Sequence, residues 1–140
     1  MDHVGVVVDD LEGAIAFFAA LVLEEDGRGS VEGVDVGRII GITDPEFDFA
    51  MMAAPDGRRV LELIHFNAPT GPVADPDQPA NAPGIRHLAF AVNAIDVVLP
   101  RLQAQGGDLV GEVVDYGNVY RLCYVRGPAG IIVELAEAIG

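Results

Sequence analysis

The sequence predicts an α+β fold built from two tandem βαβββ modules. Three observations carry that prediction: an internal repeat, a switch from strand-like to helical patterning at the same point of each copy, and a proline-rich segment between the copies. Residues 2–12, DHVGVVVDDLE, align with residues 86–96, RHLAFAVNAID, at an offset of 84, histidine on histidine. Residues 55–63, PDGRRVLEL, align with residues 127–135, GPAGIIVEL, at an offset of 72, so that Glu62 falls on Glu134. His3 and Glu62 are 59 residues apart and His87 and Glu134 are 47 apart, so the first copy holds 12 extra residues between its landmarks.

Taken in order, residues 3–8 and 86–92 are short apolar runs of strand type. Asp9 and Asn93 follow as N-cap residues, and Glu12 and Asp96 stand three positions later, Glu12 as in a capping box. Leu11, Ile15, Phe18 and Val22 then recur at helical spacing, as do Ile95, Val98, Leu99 and Leu102. Pro100 falls inside the second helix, where it predicts a kink or an early end. Three strands are expected after each helix, over 34–42, 47–54 and 59–66 in the first copy and 109–115, 119–126 and 131–137 in the second. Asp56-Gly57 and Gly127-Pro128-Ala129-Gly130 supply the turn before each last strand. The resulting organisation is a first module over 1–66, a linker over 67–84 and a second module over 85–140. Five prolines in the 18 linker residues exclude a helix or a central strand and make a semi-rigid connection.

Composition narrows the chemistry. A 51% hydrophobic and 21% charged chain has the means to build a core. A net charge of −14 disfavours nucleic acid and anionic membrane surfaces as partners. The apolar run Val4–Val8 is too short for a signal h-region or a membrane span, and a single cysteine, Cys123, forms no internal disulfide, so a cytoplasmic protein is expected. There is no lysine, which removes Schiff-base chemistry and a P-loop. The only serine, Ser30, lies in a Gly-rich stretch without a nucleophile-elbow pattern. Cys123 has no neighbouring histidine and reads as a small apolar residue on a strand.

What remains is histidine and carboxylate. A lone strand histidine is ordinarily a packing or surface residue, and edge strands carry glutamate routinely. Four ligand-type residues at equivalent positions of a repeat are much harder to obtain by accident. His3 and His87 open the first strand of each copy, and Glu62 and Glu134 lie in the last. If first and last strands are neighbours, about 4.8 Å apart, each copy presents one imidazole and one carboxylate on one face. His3 shares its face with Gly5, and His87 with Ala89 and Ala91, which leaves room beside each histidine. Two nitrogens and two carboxylate oxygens suit one divalent ion of Ni, Co, Zn, Fe or Mn, with open positions for a substrate bearing two adjacent oxygens. His65 has the opposite strand parity to Glu62 and cannot face the same ion, so a surface or dimer contact is expected for it. A two-module sheet also leaves edges to be covered, and a homodimer is the expected assembly.

These motifs, HVGVVVDDLE with AIAFF, then LELI, then RHLAFAV, then GPAGIIVEL, together resemble the vicinal oxygen chelate superfamily of glyoxalases, bleomycin-resistance proteins and dioxygenases. The resemblance runs over nearly the whole chain and implies a glyoxalase-like half-open barrel. It further implies a metal-dependent lyase or isomerase that abstracts a proton next to a carbonyl through a metal-chelated enediolate or enolate, as in glyoxalase I and methylmalonyl-CoA epimerase. Carried to matching positions, Glu134 or Glu62 acts as the base while the other stays on the metal. Where the epimerase typically has glutamine this chain has Glu62, and the lack of lysine speaks against binding a coenzyme A phosphate. Two other classes stay open: a non-enzymatic antibiotic-binding resistance protein, and an extradiol dioxygenase. A dioxygenase needs one carboxylate ligand fewer. Phe47, Phe49, Met51, Met52, Tyr116, Tyr120 and Tyr124 are candidates to line a ligand pocket, although such residues on strands ordinarily pack a core.

Overall fold

The opening apolar runs do form strands, and each is a parallel partner of the last strand of its own copy. The computed structural model describes residues 1–140 and divides into two units, Met1–Val73 and Ala74–Gly140. In the first, β1 (Val4–Val7), α1 (Leu11–Leu21), β2 (Glu24–Glu32), α2 (Val34–Ile40), β3 (Glu46–Ala53) and β4 (Arg59–Ala68) give a sheet of order β1-β4-β3-β2. In the second, β5 (His87–Ala91), α3 (Ile95–Ala104), β6 (Asp108–Leu109), β7 (Val114–Tyr116), β8 (Tyr120–Arg126) and β9 (Ile132–Ala138) give the order β5-β9-β8-β6, with β7 also pairing β8. β1–β4 and β5–β9 are parallel and the remaining pairs antiparallel, so both sheets are mixed and the fold is α+β.

Alternation gives each sheet a buried and an open face. In unit 1, Ala50, Met52, Leu61 and Leu63 point the same way, are at most 2% exposed, and share the core with Phe17, Phe18 and Leu21 of α1. In unit 2, Val125, Val133 and Leu135 do the same, with Ile95 and Leu102 of α3 buried alongside. At roughly 1.5–3 kcal/mol for each large apolar side chain removed from water, these helix-facing layers hold the two sheets in place. Each opposite face is left free to carry polar side chains. No helix is long and apolar enough to cross a membrane.

Three local expectations are corrected. The strand expected over 34–42 is the helix α2, bracketed by Gly33 at φ 115° and by Gly41, whose left-handed φ of 73° ends it through a bond from its amide to the Gly37 carbonyl. The strand that pairs with β3 lies earlier, over Glu24–Glu32. Its acidic, Gly-rich sequence has little strand propensity, and the free edge of β3 supplies the missing hydrogen bonds. The α1 cap is Asp10 rather than Asp9, accepting from the Gly13 amide at 3.0 Å. Its counterpart at α3 is Ala94, which has no side chain able to cap. There Glu137 of β9 accepts from the Ile95 amide at 2.8 Å, doing the work of the missing cap from a neighbouring strand. Finally, of the two outcomes expected at Pro100, a kink or an early end, the early end does not occur: α3 runs through Pro100 to Ala104.

β4 ends at Ala68, immediately before Pro69. Residues 74–84 cluster with unit 2, where Gly130, at φ 75°, lies against the Asp75 carbonyl and Pro76 so closely that a Cβ would fall within 2.9 Å of both.

Candidate functional site

Each unit brings together its own histidine and its own glutamate, and does so in one register. In unit 1 Gly5 is the β-ladder partner of Glu62. In unit 2 Ala89 is the partner of Glu134. The histidine stands two residues before that small residue in both, on the same face and diagonal to the carboxylate. This is how offsets of 84 and 72 produce equivalent pairs. A Cβ on Gly5 would meet only Ile64 Cδ1 at 3.7 Å, so either small residue suits the position.

His3 Nε2 lies 3.1 Å from Glu62 Oε2, and His87 Nε2 lies 3.3 Å from Glu134 Oε2. The other ring nitrogens are held from outside. His3 donates from Nδ1 to Asp2 Oδ1 at 2.6 Å, and His87 Nδ1 lies 3.3 Å from the Tyr124 hydroxyl, with the two rings 5.0 Å apart between centroids. In a neutral His3 the proton is therefore on Nδ1, and the Nε2 lone pair faces a carboxylate oxygen. Two lone pairs so placed require a proton or a cation between them. The Asp2 carboxylate first, against a lowering by burial, and then Glu62 raise the His3 pKa above the ordinary imidazole value.

The donor separation also suits a metal. Two bonds of about 2.1 Å subtending roughly 90–110° place their donor atoms about 3.0–3.4 Å apart. Both pairs fall in that window. All four side chains are partly exposed, between 22% and 39%, so an ion could reach them. No group of three or more His, Cys, Asp or Glu side chains placed to hold a metal ion is present in the chain. Each unit offers one pair, of one nitrogen and one oxygen.

Beside Glu134 a cavity of about 390 Å3 opens in unit 2, lined by Val110, Glu112, Val114, Leu122, Tyr124 and Glu134 among others. Tyr124 is the cross-strand partner of Glu134. Of the other aromatic and methionine candidates, Phe47 and Met52 are buried in the core, while Tyr116 and Tyr120 are largely exposed. Cys123 is buried, and desolvation raises its pKa. His65 is part-buried and donates from Nδ1 to the Val8 carbonyl at 3.0 Å. The residues missed by sequence reasoning are Asp2 and Tyr124 in their roles as partners of Nδ1. A signal existed for Tyr124, because folding the 120–126 and 131–137 strands about the Gly127–Gly130 turn sets it opposite Glu134.

Comparison with known proteins identifies the class. Residues 2–124 match the model of the Glyoxalase/Bleomycin resistance protein/Dioxygenase superfamily, and the chain belongs to that family. A crystal structure of a glyoxalase family protein from Bacillus cereus is 44% identical with a TM-score of 0.94, covering 100% of this chain and 94% of that one. The mitochondrial methylmalonyl-CoA epimerase of Bos taurus is 26% identical over 99% of this chain and 74% of its own length. A fosfomycin resistance protein from Listeria monocytogenes, solved as a mutant with Mn(II) and a dihydroxypropylphosphonic acid, shares the fold at 16% identity and a TM-score of 0.60, covering 99% of this chain and 89% of that one.

Proposed function

We propose that the chain is a divalent-metal-dependent lyase or isomerase that moves a proton on a carbon next to a carbonyl, with His3, Glu62, His87 and Glu134 as the ligands of one ion. The observation that carries this is the repeated histidine–glutamate pair: the same register, the same donor atoms and nearly the same separation in both units. Family membership supports it, as do the epimerase relative and the Listeria protein whose structure contains Mn(II). When bound, such an ion supplies a Lewis acid that stabilises negative charge developing on a substrate oxygen.

The chain's own residues do the rest. Asp2 and Tyr124 fix the two imidazoles with Nε2 directed at the carboxylates. Glu134 is the preferred base over Glu62, because it lines the unit 2 cavity. Its carboxylate takes the proton from the carbon, and the resulting acid returns it to that carbon or to its neighbour. A homodimer belongs to the same reading, because β1 and β5 each stand at the edge of their sheet. The test is elemental analysis of the purified protein followed by a proton-exchange NMR screen in deuterated buffer. 2-Oxo acids, hemithioacetals and acyl thioesters are the compounds to offer. Metal bound together with solvent deuterium entering next to a carbonyl is expected. Metal without exchange on any of them would refute the reaction.

A further inference from the structure

The chain has 22 acidic side chains against 8 arginines, and most arginines find a carboxylate. Arg28, Arg38, Arg58, Arg59 and Arg121 all do. Arg86, Arg101 and Arg126 do not, and of these Arg86 and Arg126 both turn to one uncharged residue. Arg86 donates from Nη1 to the Gln78 side-chain oxygen at 2.5 Å. Arg126 donates from Nη1 to the Gln78 carbonyl at 2.8 Å and to the Gly130 carbonyl at 3.2 Å, and these are its only hydrogen bonds. Asp75, close by in sequence, spends its carboxylate on the Asp77 amide at 3.0 Å. Arg86 Nε is moreover buried with no hydrogen-bond partner. Two guanidiniums meeting at a neutral residue, with donors left over, are poorly satisfied in a chain this rich in acids.

Register gives the pair a place relative to the candidate site. Arg126, Ile132 and His87 form one row across β8, β9 and β5, and Tyr124, Glu134 and Ala89 form the next. Residues in such rows share a face, so Arg126 lies on the face that carries His87, Tyr124 and Glu134, about 7 Å along the strand from the Tyr124 row. Arg121, by contrast, has the opposite parity on β8 and is paired with Asp96 at 2.9 Å.

We propose that Arg86 and Arg126 form a subsite for an oxyanion, a carboxylate or a phosphate group, beside Gln78. The planar fork of a guanidinium matches the oxygens of either group, and the Nη2 groups, which make no hydrogen bond in either side chain, are the donors such a group would use. Resting on the proposed reaction, the substrate is then an anionic carbonyl compound, with its acid group about one sheet row from the carbon that Glu134 deprotonates.

The subsite is tested without turnover. Full-length protein is titrated with inorganic phosphate and, separately, with acetate at constant ionic strength, following the arginine Nε–Hε resonances by NMR. Saturable shifts of Arg86 and Arg126 are expected, with Arg38 and Arg58 unmoved, and the tighter of the two ligands identifies the group. Arg126→Gln should raise the dissociation constant about tenfold or more, the usual scale for a lost charge-assisted contact. If that variant fails to fold, Arg86→Met replaces it, with the same expectation. Shifts no larger than those of Arg38, or equal affinity in the folded variant, would show that the two arginines only fasten residues 74–84. Repeating the titration on His87→Ala separates the two ideas: arginine shifts that survive there leave the subsite standing even if the metal reading fails.

Discussion

Tyr124→Phe removes one hydroxyl and keeps the ring that stacks beside His87. The lost contact is a neutral hydrogen bond to Nδ1 at 3.3 Å, at the long end of useful geometry and on a partly exposed histidine. Such bonds contribute about 0.5–1.5 kcal/mol net, or roughly a twofold to thirteenfold change in an equilibrium constant. Loss of an outer partner of a metal-bound histidine typically costs about 10–100-fold. The long distance argues for the lower end, so metal affinity should fall about three- to tenfold. The assay is competition against a chromophoric chelator at pH 7.5, with thermal melts of chelated and metal-loaded protein alongside. The chelated melting temperature should be unchanged, and the gain on metal loading should shrink, because an ion that binds only the native state stabilises it by mass action. Unchanged metal affinity would refute the idea that Tyr124 orients His87. A large drop in the chelated melting temperature would instead make the hydroxyl a structural element.

Other consequences follow from the caps and ion pairs. Glu137→Ala should destabilise the protein by about 1 kcal/mol in urea, as for a lost N-cap, whereas no effect would mean that the Ile95 amide has another partner. Gly13→Ala should be close to neutral rather than stabilising by about 1 kcal/mol, because the new methyl falls onto the Asp10 carboxylate that caps α1; a clear gain in melting temperature would contradict this. Arg28 holds Glu12 and Glu25 below the ordinary glutamate value of 4.5. A depressed carboxylate contributes stability above its unfolded pKa and loses it as pH falls through the folded one. The wild type should therefore lose stability below about pH 4.5 more steeply than Arg28→Gln, and parallel curves would refute it. His3, raised by Asp2 and Glu62, works in the other direction: its stabilisation of the metal-free protein is present below pH 6.5 and fades as pH rises through its folded value.

Much of the fold was legible because it is written twice. A histidine before an apolar strand and a glutamate near the end of another are weak marks singly. Their recurrence at offsets of 84 and 72 located β1, β4, β5 and β9 and pointed to first and last strands lying side by side in each copy, which the β1–β4 and β5–β9 pairings show. The errors fell where the copies differ. Val34, Val36, Ile39, Ile40 and Ile42 look like strand residues, but Gly33 and Gly41 bracket a helix there, and the true strand β2 is nearly all polar. β2 owes its existence to a non-local partner, which local propensity cannot report. His65 and Glu137 are likewise equivalent by position and opposite in chemistry, one donating to the Val8 carbonyl and the other accepting from the Ile95 amide. For Tyr124 the hairpin register could be read from the sequence, but its hydrogen-bond distance to His87 is set only by the folded sheet.

The central claim is that four side chains, two from each unit, are ligands of one ion. Its most direct test is metal content, by elemental analysis after dialysis, of the wild type and of His3→Ala, His87→Ala and Glu134→Gln, with far-ultraviolet circular dichroism as the check on folding. The account predicts about one divalent ion per chain in the wild type and almost none in either histidine variant, all with native spectra. Glu134→Gln should keep much of its metal, because the amide still offers an oxygen, while losing proton exchange by orders of magnitude, as for a missing general base. Wild-type metal content in His3→Ala or His87→Ala would contradict the account.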